Sequence, residues 1–118
     1  MKLSIGDVID RWTIAYLKNT RGGVDTVVEQ YAYQDYCTGY NQKSVADTFK
    51  DLLQHNGDIW TLESDIRKGK EGELGLEEVG RRALQIRDHN KLRIEAKNRI
   101  NSQYNEGFQE IKVKHSSE

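Results

Sequence analysis

A chain of 118 residues with a net charge of −1 has the length of one ordinary domain and is too short for two. Its apolar share of 36% is low and its charged share of 31% is high, and no apolar run approaches the length that spans a membrane. That balance disfavours a compact β-sandwich or barrel and suits an elongated helical assembly with much solvated surface.

Two tryptophans, six tyrosines and clear helical periodicity argue against disorder. Proline is absent, so nothing forces a helix to break, and ten glycines supply the punctuation. Cys37 is the single cysteine and cannot staple the chain to itself, which suits a reducing compartment. The first residues pass directly into an amphipathic pattern with Asp7 and Asp10, so no signal peptide is expected, and the cytoplasm is the expected location (the host's, if the protein is phage-encoded).

The first predicted helix covers residues 5–20. Ser4 is a candidate N-cap, with Asp7 three residues on, and Ile5, Val8, Ile9, Trp12 and Tyr16 form one stripe. Ile14 and Leu17 lie off that stripe, so contact on two sides is expected, and Arg21–Gly23 should end the helix. A second, short helix is read over residues 26–36, followed by a loop from Thr38 to Gln42. A third helix spans residues 45–67, capped by Ser44, with Val45, Phe49, Leu52, Leu53, Ile59, Trp60 and Ile66 inward and Gly57 marking a close approach. After a turn at Lys68–Gly72, the longest helix runs over residues 76–103 with Leu76, Val79, Ala83, Ile86, Ile94 and Ile100 inward. Residues 107–118 read as an extended tail. The short turn makes the third and fourth helices antiparallel neighbours, so the fold class is all-α, a single domain of three or four helices around a long hairpin. Trp12 and Trp60 are expected in its core.

Charge is unevenly placed. Residues 1–66 carry six Lys/Arg and ten Asp/Glu, whereas residues 67–118 carry twelve and nine, with the basic excess densest between Arg81 and Arg99. Pairing of the acidic half with the basic half of the same chain is the preferred reading.

Polar residues fall on helix faces that should be buried. Asn56, Glu63 and Arg67 project within the arc of Phe49, Leu52 and Trp60, while Asn90, Lys97 and Asn101 lie along that of Val79, Ile86 and Ile94, with Arg93 at its flank. Such groups are costly among apolar side chains unless paired. One reading is a structural network in which Glu63 pairs with Arg67, Asn56 meets Asn90 across the hairpin, and Asp10 neutralises Arg93 and Lys97. The other is a shallow pocket for an anionic or sugar-phosphate small molecule at the Arg93/Lys97 end.

Three stretches resemble a small bacterial and phage family of unknown function. Ser4-Ile5-Gly6-Asp7-Val8-Ile9-Asp10-Arg11-Trp12-Thr13-Ile14 is similar to its S-I-G-E-L-I-D-K-L-T-I opening, and Ile59-Trp60-Thr61-Leu62-Glu63-Ser64-Asp65-Ile66-Arg67 to its L-W-x-I-E-D-x-I-R. Asn90, Arg93, Lys97, Ile100 and Asn101 match its N-x-x-R-x-x-x-K-x-x-I-N. The resemblance covers about half the chain and implies a helical fold with these polar positions as its signature, but no activity or cofactor. Residues 21–43 depart from it.

Other signals are weaker. His55, His89 and His115 lack mutual metal-ligand spacing, so no metal or other cofactor is expected. Cys37 has no evident histidine partner. Glu73, Glu77 and Glu78 invite comparison with helical magnesium-dependent nucleotide pyrophosphohydrolases, yet the paired E-x-x-E and E-x-x-D motifs are missing. The tyrosines of residues 31–40 could stack on sugars or bases, although tyrosines covering a helical core are commoner. A pI near 6.3 disfavours nucleic acid as a partner of the Arg81–Arg99 helix. The expected protein is a non-enzymatic interaction or accessory module, a homodimer with a possible further protein partner. The alternative is a binding or enzymatic domain for a phosphorylated or sugar-nucleotide ligand.

Overall fold

The computed structural model describes residues 3–66 and 71–107, with the side chains of residues 71–74 excepted. Within them lie four α-helices and no strand: α1 (Ile5–Thr20), α2 (Val27–Tyr36), α3 (Gln42–Asp65) and α4 (Glu71–Gln103), with a single 3₁₀ turn at Cys37–Gly39. The all-α reading holds. Arg67, most of the turn expected at Lys68–Gly72 and the tail beyond Gly107 lie outside the described residues.

Helix α1 is the centre of the fold and touches α2, α3 and α4, one neighbour more than its two apolar stripes suggest. Ser4 caps it as expected, its Oγ accepting from Asp7 N at 3.3 Å. Helix α3 begins three residues earlier than predicted. Asn41, not Ser44, is its cap, with Oδ1 accepting from Ser44 N at 2.9 Å. Either side chain can serve an N-cap, and the Tyr104 hydroxyl selects Asn41 by accepting from its backbone N–H at 2.7 Å.

Helices α3 and α4 form the expected antiparallel hairpin. Its register is set by cross-links between Ser44 and Gln103, Asp51 and Arg99, His55 and His89, and Asp65 and Arg82. Helix α4 is not continuous: Gly75 adopts φ 78°, a left-handed conformation that favours glycine, and interrupts the helical geometry one turn after its start.

Ile5, Val8, Ile9, Cys37, Val45, Leu52, Ala96 and Ile100 form the core, which gathers at the α1 end of the hairpin. Full burial of each large aliphatic side chain stabilises by about 1.5–3 kcal/mol. Trp12 is only partly buried and packs on this core against Phe49 at a ring separation of 4.6 Å. Trp60 is also half-buried, so neither tryptophan is a full core residue. Leu76, expected inward, is 90% exposed, and Ala83 is exposed too. The reason is geometric: α1 ends before it can cover the far part of the hairpin, where two helices alone cannot enclose each other's apolar faces.

Candidate functional site

The polar residues picked out on helix faces converge on α1. Asp10, 4% exposed, receives two parallel bonds from Arg93, Nε to Oδ1 at 2.8 Å and Nη2 to Oδ2 at 2.7 Å. Asn56, 6% exposed, donates through Nδ2 to Asp10 Oδ1 and to Thr13 Oγ1, each at 2.9 Å. Thr13 in turn donates to the Asp10 carbonyl at 2.7 Å. One carboxylate, one guanidinium, one amide and one hydroxyl thus form a closed network joining α1, α3 and α4. A bidentate pair of this kind adds geometric definition to charge neutralisation.

Lys97 takes a different acid from the one expected. Its Nζ lies 2.9 Å from Asp7 Oδ1, one helical turn before Asp10. Helices α1 and α4 run antiparallel here, so moving one turn along α4 from Arg93 to Lys97 moves one turn back along α1. Burial works against the Asp7 carboxylate, but the Lys97 hydrogen bond and charge outweigh it and hold its pKa below the ordinary value.

Asn101 completes the sequence of contacts by capping. Its Oδ1 accepts from Gly6 N at 2.7 Å, and the Glu106 carboxylate accepts from Ile5 N at 2.8 Å. With Asp7 N on Ser4 Oγ, the N–H groups of Ile5, Gly6 and Asp7, which have no partner within α1, are all satisfied, and Val8 N makes the first regular helix bond to the Ser4 carbonyl. Glu106 reaches this place because α4 ends in a Schellman motif. Asn105 takes φ 51°, Glu106 N bonds the Asn101 carbonyl at 2.8 Å, and Asn105 N bonds the Ser102 carbonyl at 3.2 Å. The second Glu106 oxygen accepts from the Tyr40 hydroxyl. Burial and that carboxylate together raise the Tyr40 pKa.

The remaining predicted positions behave otherwise. Asn90 is half-buried, and no hydrogen bond joins it to Asn56, whose amide hydrogens are used by Asp10 and Thr13. Glu63 is exposed, contrary to its expected inward position, and its expected partner Arg67 lies outside the described residues. Thr13, Asp7 and Glu106 were not anticipated as members of the seam. Asp7 was legible as an acid one turn from Asp10, whereas the reach of Glu106 depends on a chain reversal that no local pattern announces.

A groove of a different character opens between α1, α2 and α3, with a volume of about 420 Å³. Trp12, Tyr16, Tyr31 and Phe49 form its aromatic walls, Gln30 and Gln34 add amides, and no charged residue lines it. On its α2 side the wall residues Val27 and Tyr31 are 44% and 65% exposed, and Val28, the next residue of α2, is 82% exposed. The tyrosines of residues 36–40 sit elsewhere: Tyr36 donates to the Leu3 carbonyl at 2.7 Å, and Tyr40 packs edge-on against Tyr104.

Cys37 is free and buried, and burial pushes its thiol up to about 11, so it is no nucleophile at neutral pH. Among the described residues no group of three or more His, Cys, Asp or Glu is placed to hold a metal, and no helix is long and apolar enough to cross a membrane. Comparison with models of known families, with curated proteins and with solved structures finds no match to this chain.

Proposed function

We propose that the protein is a non-enzymatic helical interaction module that works as a homodimer in the cytoplasm. The observation that carries this reading is the contrast between its two polar and apolar surfaces. On the seam, Arg93 commits Nε and Nη2 to Asp10 and Lys97 faces Asp7, so each cation already has a carboxylate and the face is charge-balanced without a ligand. This weighs against a phosphorylated or sugar-nucleotide ligand there, which would need to displace one of those acids. The seam instead holds α1, α3 and α4 in register. A buried, free Cys37 agrees with a reducing compartment. The seam residues of the first and third motifs, Asp7, Asp10, Thr13, Arg93, Lys97 and Asn101, support kinship with the small bacterial and phage helical family that the motifs resemble.

The partner surface is the uncharged groove with its valine ridge. In a protein with 31% charged residues the lining of this groove carries no charge, and the exposed valines Val27 and Val28 stand at the start of α2, Val27 within the groove wall. A two-fold axis through such a patch seats the ridge of each copy in the groove of the other, the self-complementary arrangement that cyclic dimers require. The patch lies within residues 12–49, largely in the segment that departs from the family motifs, so this mode of pairing is a property of this chain.

Light scattering at micromolar concentration should give twice the chain mass, and Val28→Asp with Tyr31→Asp should give the chain mass with the helical signal retained. Both positions are too exposed to carry the fold, so lost helicity is not expected of them. A wild-type protein of chain mass rejects the dimer.

A further inference from the structure

His55 on α3 and His89 on α4 are far apart in the chain, yet the hairpin sets their Nδ1 atoms 3.0 Å from each other. The ring centroids are 5.3 Å apart, so the two nitrogens point at one another almost along a straight line. A hydrogen bond of this geometry needs one ring to donate and the other to accept. A neutral imidazole carries one N–H and one bare nitrogen, whereas an imidazolium carries an N–H on both. The bond therefore depends on how many protons the pair holds. Two neutral rings form it, and one neutral ring with one imidazolium forms it more strongly because the bond is then charge-assisted. Two imidazolium rings leave no lone pair to accept and set like charges face to face across the same 3.0 Å gap.

The charged groups of the packed elements do not relieve that clash. On α3, the exposed Asp58 places Oδ2 3.7 Å from His89 Nε2, beyond hydrogen-bond distance, and its single charge can offset one imidazolium but not two. Asp51, one turn before His55, faces Arg99 at 3.5 Å. On α4, Arg93, one turn after His89, is held by Asp10 of α1, and Arg82, two turns before it, by Asp65. Exposed Arg87 and Asp88 lie 3.8 Å from each other, and Arg21 of α1 donates to the Gly57 carbonyl at 3.0 Å. Beyond the pair, toward the turn of the hairpin, Leu62, Val79 and Ile86 are only half-buried, so apolar packing between α3 and α4 is incomplete there.

We propose that His55 and His89 form an acid-sensitive clasp of the hairpin. It holds α3 to α4 while at least one ring is neutral, and it releases the stretch beyond it when acid protonates both. The unfolded chain accepts a proton on each ring freely and the clasped pair accepts only one, so the contribution of the clasp is present near neutral pH and is lost as pH falls. Histidine ordinarily changes charge between about pH 5 and 8, which places the release in mild acid. The histidine spacing in the sequence concealed the clasp because only the hairpin register brings the pair together.

The test uses the full chain carrying His115→Ala, which leaves these two imidazoles alone. With isotope-labelled ring nitrogens, magnetic resonance should detect a scalar coupling across the N–H···N bond at about pH 7.5 and none at about pH 5, with the helical signal retained at both. A double-mutant cycle of His55→Gln and His89→Gln, read from denaturant melts, should show the pair favouring the folded state by about threefold to tenfold at about pH 7.5 and no longer at about pH 5. The scalar coupling needs no substitution within the pair, so it decides the matter even if a glutamine variant fails to fold. No coupling across the rings at neutral pH, or a coupling that persists unchanged in acid by either measurement, would overturn the proposal.

Discussion

Asp10 shows how a single side chain organises its surroundings. It accepts from Arg93 twice and from Asn56 once, and its own carbonyl accepts from Thr13. Asp10→Ala strands a largely buried guanidinium and an amide together. Breaking a buried pair in this way costs about 3–5 kcal/mol, and the lower end applies because Arg93 keeps some contact with water. Denaturant melts should show that loss without a change in helical content. Lys97→Met is a milder case. Asp7 is partly solvated, and an apolar chain of similar size avoids the cost of desolvating the ammonium, so the change at neutral pH should stay within about 1 kcal/mol. Its signature is instead in acid. The Asp7 pKa is depressed in the folded state, so its contribution is present above the ordinary carboxylate value of 3.8 and is lost as pH falls through the folded value. The stability gap between wild type and Lys97→Met should therefore shrink below about pH 3.8, as followed by denaturant melts across pH. A gap that persists unchanged at pH 2 would show that Asp7 and Lys97 are not energetically coupled.

The first turn of α1 makes a close contact with α4. A Cβ added at Gly6 would lie 2.7 Å from the Lys97 carbonyl oxygen and 2.8 Å from Asn101 Oδ1. Both groups belong to α4, so the absence of a side chain at Gly6 is what allows Asn101 to cap α1. Gly57 on α3, also a candidate for close approach, differs in kind: its nearest neighbour is an Arg21 guanidinium nitrogen at 3.4 Å, the far end of a flexible chain. Alanine is preferred over glycine within a helix by about 1 kcal/mol. Gly57→Ala should thus be neutral or stabilising by up to that amount, whereas Gly6→Ala should destabilise by about 1–3 kcal/mol through forced separation of α1 and α4. Thermal melts of the two variants moving in the same direction would contradict this assignment of the contact.

Considered as a molecule, the chain pairs its own charges. Asp7, Asp10, Asp51 and Asp65 in the acidic half meet Lys97, Arg93, Arg99 and Arg82 in the basic half. Arg93 and Lys97 of α4 are thereby used inside the fold, whereas the paired Arg99 side chain stays 68% exposed. Apolar surface is open in two places among the described residues: the aromatic groove beside α2, and Leu76, Leu84 and Leu92 along α4. With the proposed dimer at the α2 patch, Leu84→Asp should leave the oligomeric mass unchanged in the same light-scattering measurement that Val28→Asp is expected to alter. The reverse result would move the interface to the hairpin.

The positions of the helices were legible in the residues because their causes are local. Apolar spacing, the Ser4 cap and the glycines after Thr20 act within a few residues of where they stand, and the observed bounds of α1 and α2 follow them closely. The Asp10–Arg93 pair was legible for a second reason: a cation on an apolar face demands a counter-charge, and few acids were placed to supply it. Which acid meets Lys97, that Asn56 turns to Asp10 and Thr13, that Glu106 returns to cap α1, and that His55 meets His89 were decided only by the tertiary structure. These contacts join segments 34 to 101 residues apart, and they depend on the rotation and register of whole helices. A difference of one residue in register turns a helix face by 100°, so local preference carries no information about such partners.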